Sequence, residues 1–323
     1  MRLLSWNLWN SFKRIENPFL VSFLEPVRRR EKRYLHQLKL LHDKAIDVCL
    51  LQEVNPVFDK IRDFKDILKY HVTYQIDQGG LRFKRVGLPL NFTNGLVTLT
   101  KDSQKKVRGL KLSGTFGASE DDYSLQFSEF RYANFSEILR NDKKILLVNT
   151  HFHHGIEWSE SLESKLKTIS TEDLRLIKSS VDISTKRKEQ EIEILIKEVQ
   201  RLQSEYDYVI VAGDFNFSHD AKIFDQFVNA GLKRVEYKGN SWDPEVNHDN
   251  FRFSNALRPP VAPEVSDEAL QVLRHYDGRS RAIDHFFITD SLAVKSVQVF
   301  GQVANKDGYF PSDHFGIEVD IDL

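Results

Sequence analysis

Cysteine is almost missing from this chain: Cys49 is the only one in 323 residues. No internal disulfide can form, and there is no cysteine cluster for structural zinc. Its setting, Ile46-Asp47-Val48-Cys49-Leu50-Leu51, is mostly apolar, so Cys49 reads as a small buried hydrophobe and not as a nucleophile. Long apolar runs are missing too. Nothing approaches the length of a membrane span, and the opening Met1-Arg2-Leu3-Leu4-Ser5-Trp6-Asn7 holds too short an apolar stretch for an export signal. The expected compartment is the cytoplasm, with no stable membrane insertion. A dominant charge is also absent. Lys and Arg number 46 against 47 Asp and Glu, which leaves a net charge of −1. There is no global basic field of the kind used by non-specific nucleic-acid binders, although local patches stay open. No internal repeat, linker or evident protein-partner motif breaks the chain. The expectation is a single domain over residues 1–323, with surface excursions near 155–184 and 251–278. Hydrophobic content of 41% is ordinary for a chain that buries a real core.

What is present is organised around Tyr208-Val209-Ile210-Val211-Ala212-Gly213-Asp214-Phe215-Asn216. Its apolar, mostly β-branched run predicts a strand buried on both faces. Alternate side chains of an extended chain share a face, so Asp214 and Asn216 should sit together at the carboxyl end of a core strand. An Asx turn closing the strand is the plain alternative. It loses ground because strands ending in acid, amide or histidine recur. Arg2–Trp6 leads to Asn7, Ala45–Leu51 to Gln52-Glu53, and Lys144–Thr150 to His151, while Asp284 is embedded in Ile283-Asp284-His285-Phe286-Phe287. A last strand, Ile317–Val319, follows Ser312-Asp313-His314. On strand alternation, His151 and His153 share a face and His154 points away. His151 should face the site, with His153 and His154 as bystanders or substrate contacts.

Between these strands, the spacing of Tyr34, Leu35, Leu38, Leu40 and Leu41 predicts a helix, with the basic run Arg28–Arg33 as its solvated face. Asn55-Pro56 should start a second helix, with Asn55 as cap and Pro56 in the first turn. Residues 71–131 read as shorter strands and turns, including strands at 107–112 and 125–133 and a loop at 115–122. Residues 158–184 read as a partly helical surface excursion. Lys186–Leu202 reads as a firm helix feeding the strand at Tyr208, a crossover that implies α/β architecture. Ala221–Ala230 reads as a short helix, and 251–274 as a long loop.

The polar residues gathered at strand ends are Asn7, Glu53, His151, Asp214, Asn216, Asp284, Asp313 and His314. No activated serine, threonine or cysteine accompanies them. Carboxylate and amide oxygens suit magnesium, or manganese. Such an ion polarises a phosphoryl oxygen, so the reaction that uses this set best is attack of water on a phosphate ester. Asp214 would orient or deprotonate the water. Asp284 would fix the tautomer of His314 and favour its charged form near the phosphate.

The motifs Ser5-Trp6-Asn7, Leu51-Gln52-Glu53, Asn149-Thr150-His151, Gly213-Asp214-Phe215-Asn216, Ile283-Asp284-His285-Phe286 and Ser312-Asp313-His314 come in an order that resembles the endonuclease/exonuclease/phosphatase superfamily, typified by deoxyribonuclease I and the class II AP endonucleases. The resemblance spans nearly the whole chain. It implies a four-layer α/β/β/α sandwich, two packed mixed β-sheets with helices on the outer faces. It implies a magnesium site at Asn7 and Glu53, with Glu53 a direct ligand and Asp313 either contacting metal or supporting His314. Asp214 would position the water, Asn216 would hold the phosphate, His151 would stabilise the phosphate or help the leaving group, and Asp284 with His314 would form a dyad. Some positions depart from the pattern. Trp9 stands where AP endonucleases have Asp. His151 stands where they have Tyr, as in deoxyribonuclease I and the sphingomyelinases. Phe217, not Arg, follows Asn216. The longer signature of the inositol polyphosphate 5-phosphatases is absent.

Three functions compete. The first is a phosphodiesterase acting on DNA or RNA. The second is the same chemistry on a phospholipid head group or a small phosphate ester, slightly favoured by the near-neutral charge. The third is a non-catalytic binding protein of the same fold, disfavoured because four buried carboxylates without a partner would be costly.

Overall fold

The computed structural model describes residues 1–9, 27–78, 80–83, 86–88, 93–114, 117–119, 123–126, 130–218, 222–243, 245–246, 261–277 and 279–323. Strand β1 (Arg2–Asn7) is followed by helix α1 (Val27–Lys44), strand β2 (Val48–Val54) and helix α2 (Val57–Asp66). Strand β3 (His71–Gln78), the short β4 (Leu81–Phe83) and β5 (Val86–Leu88), then β6 (Asn94–Thr100) and β7 (Gln104–Ser113) come next. After β8 (Gly117–Ser119) and β9 (Tyr123–Gln126), the hairpin of β10 (Arg131–Arg140) and β11 (Lys143–His151) leads to α3 (Glu160–Lys165) and the long α4 (Thr171–Leu202). The chain continues through β12 (Tyr208–Asp214), α5 (Asp225–Asn229), β13 (Leu232–Arg234), α6 (Asp267–Asp277), β14 (Asp284–Thr289), β15 (Val294–Phe300) and β16 (Gly316–Ile321).

Two six-stranded mixed sheets result. One has the order β15-β16-β1-β2-β6-β3 and the other β13-β14-β12-β11-β10-β7. The pairs β1–β2 and β11–β12 are parallel. Period-two alternation divides each central strand between two cores. Leu3, Val48 and Leu50 of the first sheet meet Ile145, Leu147, Ile210, Ala212, Phe286 and Ile288 of the second in the seam between the sheets. Leu4, Trp6, Cys49 and Leu51 face outward onto Leu38 and Leu41 of α1 and Phe64 of α2. Val209 and Val211 face outward onto Ile192, Leu195 and Val199 of α4. This is the expected α/β/β/α layering. Cys49 is buried, and burial pushes its thiol well above the ordinary range. A small third sheet, β5-β4-β9-β8, rises from one insertion of each large sheet. No helix among the described residues is long and apolar enough to cross a membrane.

Several local expectations are corrected. The helix expected from Lys186 begins at Thr171, so the segment read as an excursion is α3 plus the first half of α4. Ser170 caps α4 by accepting from the Asp173 amide at 3.0 Å. This half of α4 packs Ile177 and Val181 on α6 through Leu270 and Leu273. Of the loop expected at 251–274, residues 251–260 lie outside the described residues, and α6 occupies its end. The strand expected over 125–133 is divided between β9 and β10, and β8 lies within the expected loop at 115–122. At the start of α2 the cap position is Pro56, with no side-chain cap bond, so Asn55 is not the cap. In the basic run, Arg28 and Lys32 are not buried but Arg29 and Arg33 are. Arg33 stacks on Trp9 at 4.4 Å and donates to the carbonyls of Trp9 (2.9 Å) and Pro311 (2.8 Å). Helix α1 thus fixes two loops at the end of the sandwich where the strand-end polar residues collect.

Candidate active site

The inner-facing positions of the central strands continue into the site. On β1, Leu3 and Ser5 are followed on the same face by Asn7. On β12, Ile210 and Ala212 are followed by Asp214. On β11, Ile145, Leu147 and Asn149 are followed by His151, and on β14 Asp284 precedes Phe286 and Ile288. Registers place these ends level: His151 pairs with Asp214, and Asp214 with Asp284. Glu53 is placed differently from the expectation that it follows its strand. It lies inside β2, at an irregularity in the pairing with β6 between Leu51 and Val54, with φ of 50°. Such a bulge re-aims a side chain. Asn216 (φ 51°) and Trp9 (φ 42°) also hold left-handed backbone, which is uncommon outside glycine and clusters at functional sites.

One oxygen organises the centre. Asp214 Oδ2 accepts from Asn7 Nδ2 at 3.0 Å and lies 3.4 Å from His151 Nε2 and 3.7 Å from His314 Nε2. The second carboxylate oxygen, Oδ1, accepts from the Asn216 amide at 2.9 Å. The Asn7 amide also donates to Glu53 Oε1 at 3.2 Å. His314 Nδ1 donates to Asp284 Oδ2 at 2.9 Å. Ser241 Oγ, in turn, accepts from the amides of Ile283 and Asp284, each at 2.9 Å. Asp313 is turned toward Trp242, whose indole donates to its Oδ2 at 3.2 Å. All eight residues named from the sequence therefore meet at one end of the seam. They come from both sheets and from the loop before β16.

The electrostatics separate their states. Burial alone would raise the pKa of Asp214. The facing His314 imidazolium, with the Nε2–H of His151 and donations from Asn7 and Asn216, more than offsets it and holds the carboxylate below its usual range. Burial and the Arg131 guanidinium push His151 well below the ordinary value, so it is neutral. Arg131 donates to its Nδ1 at 3.1 Å, which leaves the proton on Nε2, toward Asp214. For His314 burial works downward, but Asp284 and Asp214 prevail and raise it to about 10, an imidazolium at neutral pH. Glu53 rises to about 7 through burial and the neighbouring charge of Asp313. Asp313 is also raised by burial.

Four carboxylates here face one imidazolium and a neutral histidine. That surplus of hard oxygen donors fits a divalent cation. Ligand atoms of Asp214, Asp284 and His314 lie within 4.8 Å of one another. However, His314 Nδ1 is committed to Asp284, so this trio is better understood as a hydrogen-bonded dyad beside an acceptor. The oxygens at Glu53, where burial and the charge of Asp313 have driven the pKa up, are the better cation donors.

Two further residues, Arg131 and Lys188, were not read from the sequence as part of the site, and a third, His154, was read only as a bystander or substrate contact. His154 approaches Asn216 Oδ1 through Nδ1 at 3.2 Å, whereas the backbone amide of His153 donates to Glu191 of α4 at 2.8 Å. Strand alternation misled here because β11 ends at His151, and beyond that point the period of two no longer holds. Arg131, which sets the His151 tautomer, is an ordinary strand residue in sequence. Lys188 lies mid-helix, with nothing local to distinguish it.

The endonuclease/exonuclease/phosphatase family model matches residues 4–314, and the chain belongs to that family. Comparison with curated sequences found no match. Among solved structures it is similar to Danio rerio TDP2 complexed with single-strand DNA product, at 14% identity and TM-score 0.56, covering 100% of this chain and 99% of that one. It is similar to TDP2 from Caenorhabditis elegans at 14% identity and TM-score 0.58, covering 100% of this chain and 75% of that one. An endonuclease/exonuclease/phosphatase protein from Bacteroides vulgatus matches at 16% identity and TM-score 0.57, covering 100% and 98%. At these identities the likeness is one of fold.

Proposed function

We propose that the chain is a divalent-metal-dependent phosphodiesterase that hydrolyses nucleic acid. The observation that carries this reading is the convergence on Asp214 Oδ2 of an amide donor, a neutral histidine and an imidazolium from different strands and loops. Magnesium or manganese held by Glu53, with Asn7 and Asp313 beside it, would neutralise charge on a phosphoryl oxygen and on the leaving oxygen. Asp214, ionised and buried, accepts a proton from water as the water oxygen bonds to phosphorus. The Asn7 and Asn216 donations fix the direction of its lone pairs. His314, kept charged by Asp284, offsets the negative charge gathering on the phosphate. His151 presents Nε2–H to the same space, and Asn216 binds the phosphate. The bond from phosphorus to the ester oxygen breaks; that oxygen takes a proton from solvent and leaves as an alcohol, and Asp214 returns the proton it accepted to solvent.

Nucleic acid is favoured over a lipid or small ester by the likeness to D. rerio TDP2, whose structure holds a single-strand DNA product. The test is an activity panel with magnesium on single-stranded and abasic DNA, RNA, sphingomyelin and phosphoinositides. DNA or RNA should be cleaved. EDTA should stop turnover and magnesium restore it. Asp214→Asn and His314→Ala should each lower kcat by about a thousandfold in a folded protein. Full turnover in EDTA would remove the metal, and cleavage of lipid substrates alone would remove nucleic acid.

A further inference from the structure

The inward stripe of α4 changes character along its length. Ile177 and Val181 at one end, and Ile192, Leu195 and Val199 at the other, are apolar and buried. Between them, at helical spacing, lie Ser184, Lys188 and Glu191, which are also buried. Burying an ammonium and a carboxylate is costly unless each finds a partner. Each finds the backbone of a site loop. Glu191 accepts from the His153 amide at 2.8 Å and from the Ser113 hydroxyl. Lys188 Nζ donates to the Asn216 carbonyl at 2.9 Å and lies 3.9 Å over the Phe217 ring. The next carbonyl, that of Phe217, is taken by His285 Nε2 at 2.9 Å, and the Ser218 amide donates to Glu157 at 2.7 Å. The Asn216 backbone is therefore held at its carbonyl by Lys188 while its N–H points at Asp214 Oδ1 and its side-chain amide donates to the Phe152 carbonyl at 3.0 Å.

We propose that Lys188 is a positioning residue for the phosphodiesterase reaction. Its buried ammonium braces the left-handed Asn216 backbone at the carbonyl, which keeps the backbone N–H of the same residue aimed at the Asp214 carboxylate. Left-handed backbone at a non-glycine residue persists only when its surroundings over-determine it, and Lys188 supplies a charged donor on that carbonyl. The inference rests on the functional reading above, and its test separates the two.

Lys188→Met and Lys188→Gln are compared with the wild type on single-stranded DNA with magnesium, normalised to folded protein. Lys188→Met should lower kcat about tenfold or more with KM within about twofold, because the interaction lost is one that shapes the transition state. Lys188→Gln keeps a donor and should recover a large share of kcat. Amide exchange at Asn216 and Phe217 should speed up in Lys188→Met while β12 stays protected. An unchanged kcat per folded molecule or unchanged exchange at Asn216 would each overturn the brace. Should Lys188→Met fail to fold, the Lys188→Gln variant and its exchange pattern decide. Asp214→Asn is the control: if the wild type is no faster than Asp214→Asn on every substrate, the functional reading fails, and the exchange result still decides whether Lys188 holds the loop.

Discussion

Glu53 shows how a single side chain can be held at a cost to the fold. Its bulged, left-handed position brings it within reach of Asn7, and its pKa rises from the usual carboxylate range to about 7 because of burial and the charge of Asp313. A carboxyl whose folded pKa lies above its unfolded value binds more protons when folded, so stability falls as pH climbs from about 4.5 to about 7 and is level beyond. Glu53 is only half-buried, so water screens part of this, leaving about 1–2 kcal/mol. Glu53→Gln should therefore be more stable than the wild type at pH 8 in EDTA, and the two should converge near pH 4.5. Magnesium should raise the wild-type melting temperature and leave the variant's unchanged. Melting curves at the two pH values, with and without magnesium, check it. A variant still stabilised by magnesium would remove Glu53 from the ion. Residues such as Asn7, Asp214 and Asp284 were legible in sequence because they extend a buried strand's alternation by one step. The bulge beneath Glu53 was not, since register shifts come from the partner strand. Lys188 was not, since its partner lies 28 residues away and a lysine in a charged helix looks solvated.

Helix α4 spans two cores. Its C-terminal half belongs to the layer covering β11 and β12, while Ile177 and Val181 near its start lie with Leu162, Leu166, Leu270 and Leu273 in a separate apolar cluster. That division is why the sequence showed only the second half. Ile192, Leu195, Ile196 and Val199 form a broad stripe, whereas the first half buries a thin one against partners supplied by α3 and α6. The main strands were legible as long β-branched runs. The edge strand β15 was not, because its first three residues are exposed and its apolar alternation is confined to Val297 and Val299. The two-core arrangement predicts unequal responses to equal truncations. Ile177→Ala should open a cavity that costs about 2–4 kcal/mol locally. It should raise amide exchange in α3 and α6 and leave the protection of β12 in place. Leu195→Ala, of similar size, should lower protection throughout. Exchange measured by mass spectrometry reads both, and equal loss in β12 from the two variants would mean that the helix unfolds as one unit with the sandwich.

At the scale of the whole molecule the site is a property of how two sheets are set against each other. Asn7 and Glu53 belong to the first sheet, His151, Asp214 and Asp284 to the second, and His314 reaches across from the loop before β16 to Asp284. Distances such as 3.0 Å from Asn7 to Asp214 hold only if the sheets cannot slide. Apolar contacts such as those of Leu3, Ile210 and Phe286 resist separation but are tolerant of small shifts, whereas hydrogen bonds have direction. Near the site the seam turns polar. Asn149 of β11 accepts from Gln52 Nε2 at 2.8 Å and donates to the carbonyls of Leu51 (2.9 Å) and Val97 (3.1 Å), all on the opposite sheet. Asn134 adds donations to Thr98 at 3.2 Å and to Thr73 at 3.3 Å. Asn149 therefore acts as a cross-sheet pin, and Asn149→Ala should cost about 3 kcal/mol by leaving buried polar groups unpaired. It should also lower kcat per folded molecule about tenfold, because a shift of about 1 Å between halves of a catalytic constellation is enough. Leu147→Ala removes a neighbouring apolar side chain from the same seam and should cost similar stability with kcat little changed. Denaturant unfolding beside single-turnover kinetics compares the two. Equal kcat in Asn149→Ala and the wild type would mean that the sheets are registered by their apolar faces alone, and that the polar end of the seam contributes stability without setting the geometry of catalysis.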